Sequence, residues 1–425
     1  MIVRETFDNG LRLLTEAMPH VRSISLGVWL ARGSRHEDPA QSGISHFIEH
    51  MLFKGSTSRS AQEIAQAIDS IGGQVDAFTA KEYAGYYVKV LDAHLGAALD
   101  ILSDLVLHPA FREEEIEREK KVVLEEIKMV EDTPDDLVHE LFTQQFWTDH
   151  ALGRPILGVP DTVSAFTSSA LQTFFEEAYV APNVIISAAG NLDHARLRGL
   201  VAESFAELPA HGAPVSWVQP DAAPQLQIRD KELEQSHICL GSAAYPQDHP
   251  DRFISYLMNT MLGDSMSSRL FQHIREERGL AYAVFSGLTA YRDTGALTVY
   301  AGCASDSVEQ VLELVVAEMR NLAGTAVPTE ELQRAKDHLK GSLMLSLENT
   351  ASRMSHLARQ ELYFGEQSDL DEILESIDRV TVEDVQRVGR DLLADGPRAV
   401  TVLGPSAGLD LSAEQLGVAV ASTVE

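Results

Sequence analysis

The most informative stretch of this sequence is Gly43-Ile44-Ser45-His46-Phe47-Ile48-Glu49-His50-Met51-Leu52. If the stretch is helical, His46 and His50 lie on one face because they are four residues apart, and Glu49 lies beside them. Two imidazoles and a carboxylate then converge. A catalytic zinc ion needs this arrangement, together with a third ligand from elsewhere in the chain. An amphipathic helix that happens to carry two histidines is the alternative that these residues alone leave open.

Length and composition limit the class of protein. The chain has 425 residues, of which 44% are hydrophobic, and we expect two domains rather than one. Its longest apolar runs, residues 184–190 and 399–404, are far shorter than the ~20 residues that cross a bilayer. Residues 1–7 have the pattern of a strand and not of a signal or transit peptide. Cys239 and Cys303 are too few for a disulfide framework, so a reducing cytoplasm of bacterial type is predicted.

The charge of the chain limits its partners. The formal net charge is -30 at pH 7, which repels nucleic acid and anionic membrane surfaces, and neither is an expected partner. A basic ligand would be attracted instead. For most of the carboxylates, the simpler interpretation is that they keep the protein soluble.

Turn and cap residues predict the elements around the motif helix, as we call the helix that carries His46 and His50. Asn9-Gly10 predicts a tight hairpin, since both residues accept the positive φ angles of such turns. Ser60 and Glu63 form a capping box that predicts a second helix, which Gly72-Gly73 ends. Residues 74–90 then alternate as a hairpin, which we expect beside the motif helix.

A long acidic helix is predicted from Glu113 to about Glu131, where Pro134 ends it. Glu119 and Glu126 are seven residues apart, two turns along one face, so either side chain could reach a metal ion. Most other carboxylates of this helix are better interpreted as a solvated face.

A segment rich in proline marks the best domain boundary. Its turn-forming residues are Pro209, Gly212, Pro214, Pro220 and Pro224. We therefore predict a first domain at residues 1–207, a linker at 208–227 and a second domain at 228–425.

The second half of the chain repeats the first half. Residues 254–262 repeat residues 44–52 at an offset of 254 − 44 = 210, and Ile, Ser, Met and Leu keep their places. Two further pairs of segments correspond at slightly larger offsets: residues 115–120 with 331–336, at 331 − 115 = 216, and residues 185–190 with 399–404, at 399 − 185 = 214.

The repeat keeps the apolar residues of the motif helix and loses its polar ones. In the second copy, the positions of His46, Glu49 and His50 are taken by Tyr256, Asn259 and Thr260, and those of Glu119 and Glu126 by Ala335 and Ser342. If the first copy of the helix served only for packing, the second copy would have no reason to replace just the histidines and glutamates while keeping the apolar residues. The comparison therefore favours a metal site over an amphipathic helix with two incidental histidines.

The chain resembles the pitrilysin-like zinc peptidases in three features: the inverted motif from His46 to His50, a glutamate 126 − 50 = 76 residues later, and the two-fold repeat. It is most similar to the short branch that includes the mitochondrial processing peptidase and its bacterial relatives. The resemblance implies an α+β fold with two tandem homologous α/β domains. Each is a mainly antiparallel sheet covered by helices, and together they form half of a clamshell.

The resemblance also implies a set of site residues. Its zinc ligands fall on His46, His50 and Glu126, its general base on Glu49, and its supporting catalytic carboxylate on Glu119. One Zn²⁺ per chain is implied, with a fourth position open to water. Glu49 would take a proton from that water as it attacks the peptide carbonyl.

Residues 270–282 are similar to the Arg/Tyr signature of the same family. The resemblance implies that Arg275 binds a peptide carbonyl and that Tyr282 donates to the oxyanion. In the short branch, the zinc half of one subunit works with the Arg/Tyr half of its partner. Since this chain holds both parts, we expect a homodimer with composite sites, and a heterodimer stays open.

Further substrate-binding positions follow from the resemblance. Phe53 matches the apolar wall of the pocket after the scissile bond. Asp136 and Glu140 match acidic residues that hold a substrate arginine, with a solvated acidic stretch as the alternative. Asp76 and Ala77 lie in the strand that receives the substrate as an added strand, which requires an extended, unfolded peptide.

Two departures from the family pattern weaken one expectation. The chain has Gly263-Asp264 where relatives often have consecutive glycines, and it lacks the long glycine-rich loop of the noncatalytic mitochondrial subunit. Dedicated presequence recognition is therefore not expected. The hypothesis is a zinc endopeptidase that cleaves short or unfolded polypeptides, with a preference for basic residues. The alternatives are a non-catalytic core subunit and a catalytic subunit that requires a zinc-lacking partner chain.

Overall fold

A computed structural model describes residues 2–212, 218–416 and 418 of the chain. These residues form two compact units, each assembled from three segments. Unit 1 comprises Met1–Lys128, Arg154–Trp217 and Leu345–Gln367, and unit 2 comprises Met129–Gly153, Val218–Met344 and Ser368–Glu425.

Each unit contains one mixed sheet. The strands are β1 (Ile2–Thr6), β2 (Arg12–Ala17), β3 (Ser23–Leu30), β4 (Gln74–Thr79), β5 (Ala84–Leu91), β6 (Val184–Gly190), β7 (Gln225–Asp230), β8 (Ser236–Ala244), β9 (Ala281–Ala290), β10 (Gly295–Cys303) and β11 (Ala399–Gly404). The sheet of unit 1 has the order β1-β2-β6-β3-β5-β4, and that of unit 2 has the order β7-β11-β8-β10-β9.

Helices cover both sheets. They are α1 (Ile44–Leu52), α2 (Ala61–Ser70), α3 (Leu95–Leu107), α4 (Glu113–Asp132), α5 (Pro134–Phe146), α6 (Pro160–Ala165), α7 (Ser168–Ala178), α8 (His194–Ser204), α9 (Arg252–Leu262), α10 (Val308–Gly324), α11 (Thr329–Ser346), α12 (Thr350–Phe364), α13 (Leu370–Asp378), α14 (Val382–Leu393) and α15 (Ala413–Leu416). Among the described residues, no helix combines the length with the apolar composition that crossing a membrane demands.

The two sheets share one topology, which confirms the predicted repeat. Apart from the extra edge strand β1, the strands correspond in order, and each sheet contains one parallel pair, β2 with β6 and β7 with β11. The other neighbours are antiparallel. The α+β fold class with two tandem α/β domains is therefore as predicted.

The predicted turns and caps of the first half are also confirmed. Gly10 has a φ of 94° in the turn between β1 and β2. Ser60 accepts a hydrogen bond from the Glu63 N–H, and the Glu63 side chain accepts one from the Ser60 N–H, so the capping box of α2 is complete. The long acidic helix α4 ends at Asp132 as expected. A new helix, which the sequence analysis did not predict, begins at Pro134 because proline suits the first turn of a helix.

Each unit includes one helix whose sequence lies in the opposite half of the chain. Helix α5 belongs to unit 2, where it packs on β8 and β11, and the corresponding helix α12 belongs to unit 1, where it packs on β2, β3 and β6. The compact units therefore differ from the predicted domains at residues 1–207 and 228–425. Within the predicted linker 208–227, residues 213–217 lie outside the described residues. The boundaries of the homologous domains stay a prediction.

Helix α12 is fixed in unit 1 by apolar packing and by a buried charge. Met354 and Leu357 join the cluster around Trp29 on one face of the sheet. The carboxylate of Glu361 is fully buried and accepts two hydrogen bonds from Arg4, at 2.7 and 2.9 Å. Removing Arg4 would leave a buried carboxylate with part of its pairing lost, which is costly.

His356 on α12 makes the stability of the protein sensitive to acid. Burial, followed by the charges of Arg353 and Arg359, lowers the pKa of His356 from 6.5 to about 4. Because the folded-state pKa is below the unfolded one, this stability is present above about pH 6.5 and is lost as the pH falls towards 4. We expect the zinc-free parent to lose about 2 kcal/mol more than His356→Gln between about pH 7 and pH 4.5, measured by urea unfolding. Equal losses in both proteins would contradict this role.

Candidate metal centre

Helix α1 separates its apolar and polar residues. Ile44, Phe47, Ile48, Met51 and Leu52 are buried in the main core of unit 1. His46, Glu49 and His50 are only partly buried. This amphipathic pattern fixes the rotation of the helix, because turning it would expose five apolar side chains. The core of unit 1 thereby directs both histidines away from the apolar interior.

The two histidines meet Glu126 from α4. The Nε2 atoms of His46 and His50 are 3.2 Å apart. The Oε2 atom of Glu126 lies 3.8 Å from His46 Nε2 and 3.5 Å from His50 Nε2. Among the described residues, this is the one group of three or more His, Cys, Asp or Glu side chains with the spacing of a metal site.

This triangle fits a zinc ion. Tetrahedral zinc with bonds of about 2.0–2.2 Å holds its ligand atoms roughly 3.3–3.6 Å apart, close to the three observed distances. Two imidazoles and one carboxylate also form a donor set that zinc uses in catalytic sites. The residues present therefore suit zinc in both chemistry and spacing, with one ligand position left for a small molecule.

Glu119 orients the ring of His50. Its Oε1 atom lies 2.8 Å from His50 Nδ1, and its Oε2 atom lies 2.8 Å from Lys54 Nζ. The carboxylate is only 4% exposed, so both of its oxygens are paired within the protein. A carboxylate at Nδ1 favours the tautomer with the proton on that atom, which leaves the Nε2 lone pair for a metal.

Burial and nearby charges shift the pKa values of both histidines of the triangle and of Glu119. Burial, with a further contribution from His50, lowers the pKa of His46 to about 4, so this ring is neutral at pH 7. Burial also acts to lower the pKa of His50, but the Glu119 hydrogen bond and the Glu126 charge outweigh it and raise that pKa. For Glu119, burial acts to raise the pKa, and the bonds to His50 and Lys54 outweigh it and lower the pKa.

Glu49 is held by a residue of the neighbouring edge strand. The Thr79 hydroxyl at the end of β4 donates to Glu49 Oε2 at 2.5 Å. Burial raises the pKa of Glu49, and the Thr79 hydrogen bond partly offsets that rise. A carboxyl with a raised pKa beside a metal triangle is suited to accept a proton.

Strand β4 forms one edge of the unit 1 sheet, where β5 is its partner among the described strands. Asp76 is exposed on this strand and accepts a hydrogen bond from the Tyr87 hydroxyl at 2.8 Å, and Ala77 is half-buried. Phe53 directly follows α1 and packs, partly buried, against an apolar cluster that contains Ile64 of α2. The substrate-binding roles predicted for Phe53, Asp76 and Ala77 stay predictions.

Unit 2 contains the predicted Arg/Tyr pair. The Arg275 guanidinium lies 4.8 Å from the Tyr282 ring centroid and 4.7 Å from the Phe271 ring centroid, which are cation–π distances. Arg275 belongs to a π-helical turn, Phe271–Glu276, and such turns are frequent at functional sites. Tyr282 is 79% exposed, so its hydroxyl is accessible to a ligand.

The predicted acidic specificity residues also lie in unit 2. Asp136 and Glu140 are one turn apart on α5, so they share a face of that helix. Asp136 is exposed and Glu140 is half-buried. The structure thus groups both carboxylates with Arg275 and Tyr282 in one unit, and their role in binding a basic substrate stays a prediction.

In unit 2, the residues at the positions of the motif have structural contacts instead of metal-binding groups. Asn259, which corresponds to Glu49, accepts a hydrogen bond from the buried Ser286 hydroxyl at 2.7 Å. The Thr260 hydroxyl, which corresponds to His50, donates to the carbonyl of Tyr256 on its own helix. These side chains stabilise α9 and its neighbouring strand, as expected for a copy without the metal chemistry.

Sequence reasoning missed three residues around the site: Lys54 pairs with Glu119, Thr79 with Glu49, and Glu37 with the first turn of α1. Lys54 is four residues after His50, so the helical spacing contained a signal for it. Thr79 and Glu37 approach α1 from other segments of the chain. Thr79 is distant from the motif in sequence, and Glu37 lies in the segment before α1, where no helical or strand periodicity relates it to the motif.

Comparisons with known proteins identify the family of this chain. The profile described as insulinase (peptidase family M16) matches residues 12–159, and that of the peptidase M16 inactive domain matches residues 165–339. The uncharacterized zinc protease YmxG of Bacillus subtilis is 42% identical over 96% of this chain and 100% of its own length. An uncharacterized zinc protease of Streptomyces coelicolor is 40% identical over 95% of this chain and 89% of its own length.

Solved structures share the fold. A peptidase M16 inactive domain from Pseudomonas fluorescens superimposes with a TM-score of 0.90, at 23% identity, over 96% of this chain and 100% of that chain. A protease from Helicobacter pylori superimposes with a TM-score of 0.89, at 21% identity, over 95% and 100%. With the two profile matches and the full-length relatives, these findings confirm the resemblance: the chain belongs to peptidase family M16, the insulinase family.

Proposed function

We propose that this protein is a zinc-dependent endopeptidase that hydrolyses peptide bonds in short or unfolded polypeptides. The observation that carries the proposal is the triangle of His46, His50 and Glu126, with Glu49 beside it on the same helix. The similarity to proteins named zinc proteases supports it. Membership of the family alone would not support an enzymatic function, because the second family profile describes an inactive domain.

His46, His50 and Glu126 would hold one zinc ion per chain. When bound, the ion polarises a peptide carbonyl and lowers the pKa of water towards about 7. Glu49 accepts the proton of the attacking water and can return it to the leaving amine. Thr79 keeps the Glu49 carboxylate in place through its hydroxyl. Glu119 keeps the His50 ring in the tautomer that leaves Nε2 free for zinc, so its effect on the metal is exerted through His50.

The substrate would bind as an added strand along β4. Among the described strands β4 is an edge strand, so it offers backbone N–H and C=O groups, and its last residue, Thr79, contacts Glu49. Main-chain pairing demands an extended peptide, which explains the proposed preference for short or unfolded chains. Arg275 and Tyr282 would bind the peptide carbonyl and the developing oxyanion, and Asp136 and Glu140 would favour basic side chains.

We further propose a cytoplasmic homodimer in which the zinc residues of one chain act with the Arg/Tyr pair of the other. One chain contains both sets of residues, which supports identical subunits. Cys239 and Cys303 are free and buried, in keeping with a reducing compartment. The oligomeric state of the zinc-loaded chain, measured by analytical ultracentrifugation, tests the dimer.

Removal of the metal tests the function directly. The zinc-loaded chain is expected to cut peptides in an unstructured library, as read by mass spectrometry. After chelation and desalting, cleavage should fall to background and return when zinc is added back. Cuts clustered near arginine or lysine would support Asp136 and Glu140 as specificity residues. If a folded, zinc-bound dimer makes no cuts, the endopeptidase proposal fails, and a core subunit or a partner-dependent enzyme takes its place.

A further inference from the structure

The first turn of α1 is capped by a residue outside the helix. The N-terminal N–H groups of a helix have no partners within it, and the N-cap residue Gly43 has no side chain to supply one. The Glu37 carboxylate supplies acceptors for two N–H groups at this end of the helix. Its Oε2 accepts the Gly43 N–H and its Oε1 accepts the Ser45 N–H, each at 2.8 Å. Glu37 is only 5% exposed, so this carboxylate lies in the protein interior.

Glu37 is itself fixed by a chain of partly buried polar contacts within unit 1. The Arg154 guanidinium donates to the Glu37 carbonyl, and Lys81 Nζ donates to the Arg154 carbonyl. Lys81 lies in the turn between β4 and β5, and its own carbonyl accepts the Arg35 N–H at 2.7 Å. Hydrogen bonds therefore connect the hairpin that contains the edge strand β4 to the start of α1.

Close backbone packing adds a second restraint at the same point. Gly43 has a φ of +94°, and a Cβ atom at this position would lie 2.7 Å from the Cα of Gly158. The Thr162 hydroxyl donates to the carbonyl of Ser42 at 2.7 Å. The chain therefore enters α1 through a segment in which side-chain and backbone contacts leave little freedom.

The two histidines differ in what orients them. The His50 ring is fixed through Nδ1 by Glu119, whereas His46 Nδ1 is buried and has no hydrogen-bond partner among the described residues. The position of His46 therefore depends on its backbone, and Ser45, the residue before it, is the one whose N–H Glu37 holds.

We infer that Glu37 is a positioning residue of the metal centre. Its carboxylate holds the first turn of α1 so that His46 Nε2 stays within reach of His50 Nε2 and Glu126 Oε2. The inference rests on the proposed zinc site and adds a residue to it that touches neither metal nor substrate. Glu37 and Glu119 then act as a pair, the first setting the backbone under His46 and the second setting the ring of His50.

The variant Glu37→Gln tests this inference. Glutamine has the same shape but keeps only one acceptor, so one N–H of the first turn loses its partner. Measured at about pH 8, because burial raises the pKa of Glu37 to about 7, the variant is expected to bind zinc about tenfold more weakly. Competition with a chromophoric chelator gives the affinity. The visible absorption of the cobalt-substituted protein, which reports ligand geometry, should also change relative to the parent.

Ser60→Ala is the matched control, since it removes the side-chain cap of the neighbouring helix α2, which carries no metal ligand. It should leave zinc affinity and the cobalt spectrum unchanged. An unchanged affinity and spectrum in folded Glu37→Gln would overturn the inference and leave the zinc site standing. A parent chain that binds no zinc would instead overturn the zinc site, and the inference with it.

A second measurement applies if Glu37→Gln does not fold. In the zinc-free parent, the amides of Gly43 and Ser45 should exchange with deuterium as slowly as interior amides of α1, because Glu37 holds both of them. Exchange as fast as that of an exposed loop would show that Glu37 does not hold the first turn, and would overturn the inference without any variant.

Discussion

Glu49→Gln is expected to lower the rate of peptide cleavage by about 10²–10⁴-fold while zinc stays bound. Glutamine preserves the size of the side chain and can still accept the Thr79 hydroxyl, but it cannot take a proton from the attacking water. Initial rates on one peptide identified in the library give the loss of activity. Metal analysis of the same protein gives the zinc content, which should equal that of the parent.

A matched control separates this effect from a general loss of charge. Glu176 is an exposed glutamate on α7 of the same unit, where its carboxylate accepts a hydrogen bond from Gln172. Glu176→Gln should cleave the peptide at the parental rate. If Glu49→Gln were as active as the parent, Glu49 would not be the proton acceptor and the proposed mechanism would be wrong.

Glu126→Gln is expected to weaken zinc binding by about 100-fold or more, beyond the 10–100-fold that is typical when a group outside the ligand set is changed. The neutral amide is a poorer ligand than a carboxylate, and only His46 and His50 of the triangle would remain as strong donors. Cleavage should fall in parallel at limiting zinc and recover in part when zinc is raised. Titration against a chelator measures the affinity.

The adjacent residue provides the control for this variant. Glu125 is exposed on the same helix and pairs with Lys128, so Glu125→Gln changes the same charge one residue away from the triangle. It should bind zinc as the parent does. Unchanged zinc stoichiometry and affinity in Glu126→Gln would remove this residue from the proposed ligand set.

The sequence predicted those parts of the site that depend on local spacing. His46, Glu49 and His50 are within one turn of each other, and Glu119 and Glu126 share one face of one helix, so periodicity places the members of each group together. The choice of Glu126 as the third ligand came from the family resemblance. The internal repeat then distinguished packing residues from chemical ones, because α9 keeps the apolar residues of α1 and replaces the polar ones. The structure brings the predicted ligands together, with the ligand atoms within 4.8 Å of one another.

The remainder of the site depends on contacts that no helical or strand periodicity predicts. Thr79 reaches Glu49 because β4 pairs at the edge of the sheet beside α1, and Glu37 reaches α1 through a loop. The sequence likewise did not predict on which sheet α5 and α12 pack. Their apolar faces indicate that each helix packs on a sheet, but they do not specify which of the two sheets. Hydrophobic patterning identifies a buried face but not its partner.

The placement of α12 in unit 1 determines when unit 1 can finish folding during synthesis of the chain. The sheet face formed by Leu14, Trp29 and Ile185 is covered by Met354 and Leu357. Met354 is synthesised 354 − 185 = 169 residues after Ile185, the last of those three residues. Unit 1 therefore cannot cover this face while its own strands are being synthesised, and the apolar surface stays uncovered from the synthesis of Ile185 until that of α12. Such a surface binds chaperones and is prone to aggregation, so the yield of folded protein depends on how fast the second half of the chain follows the first.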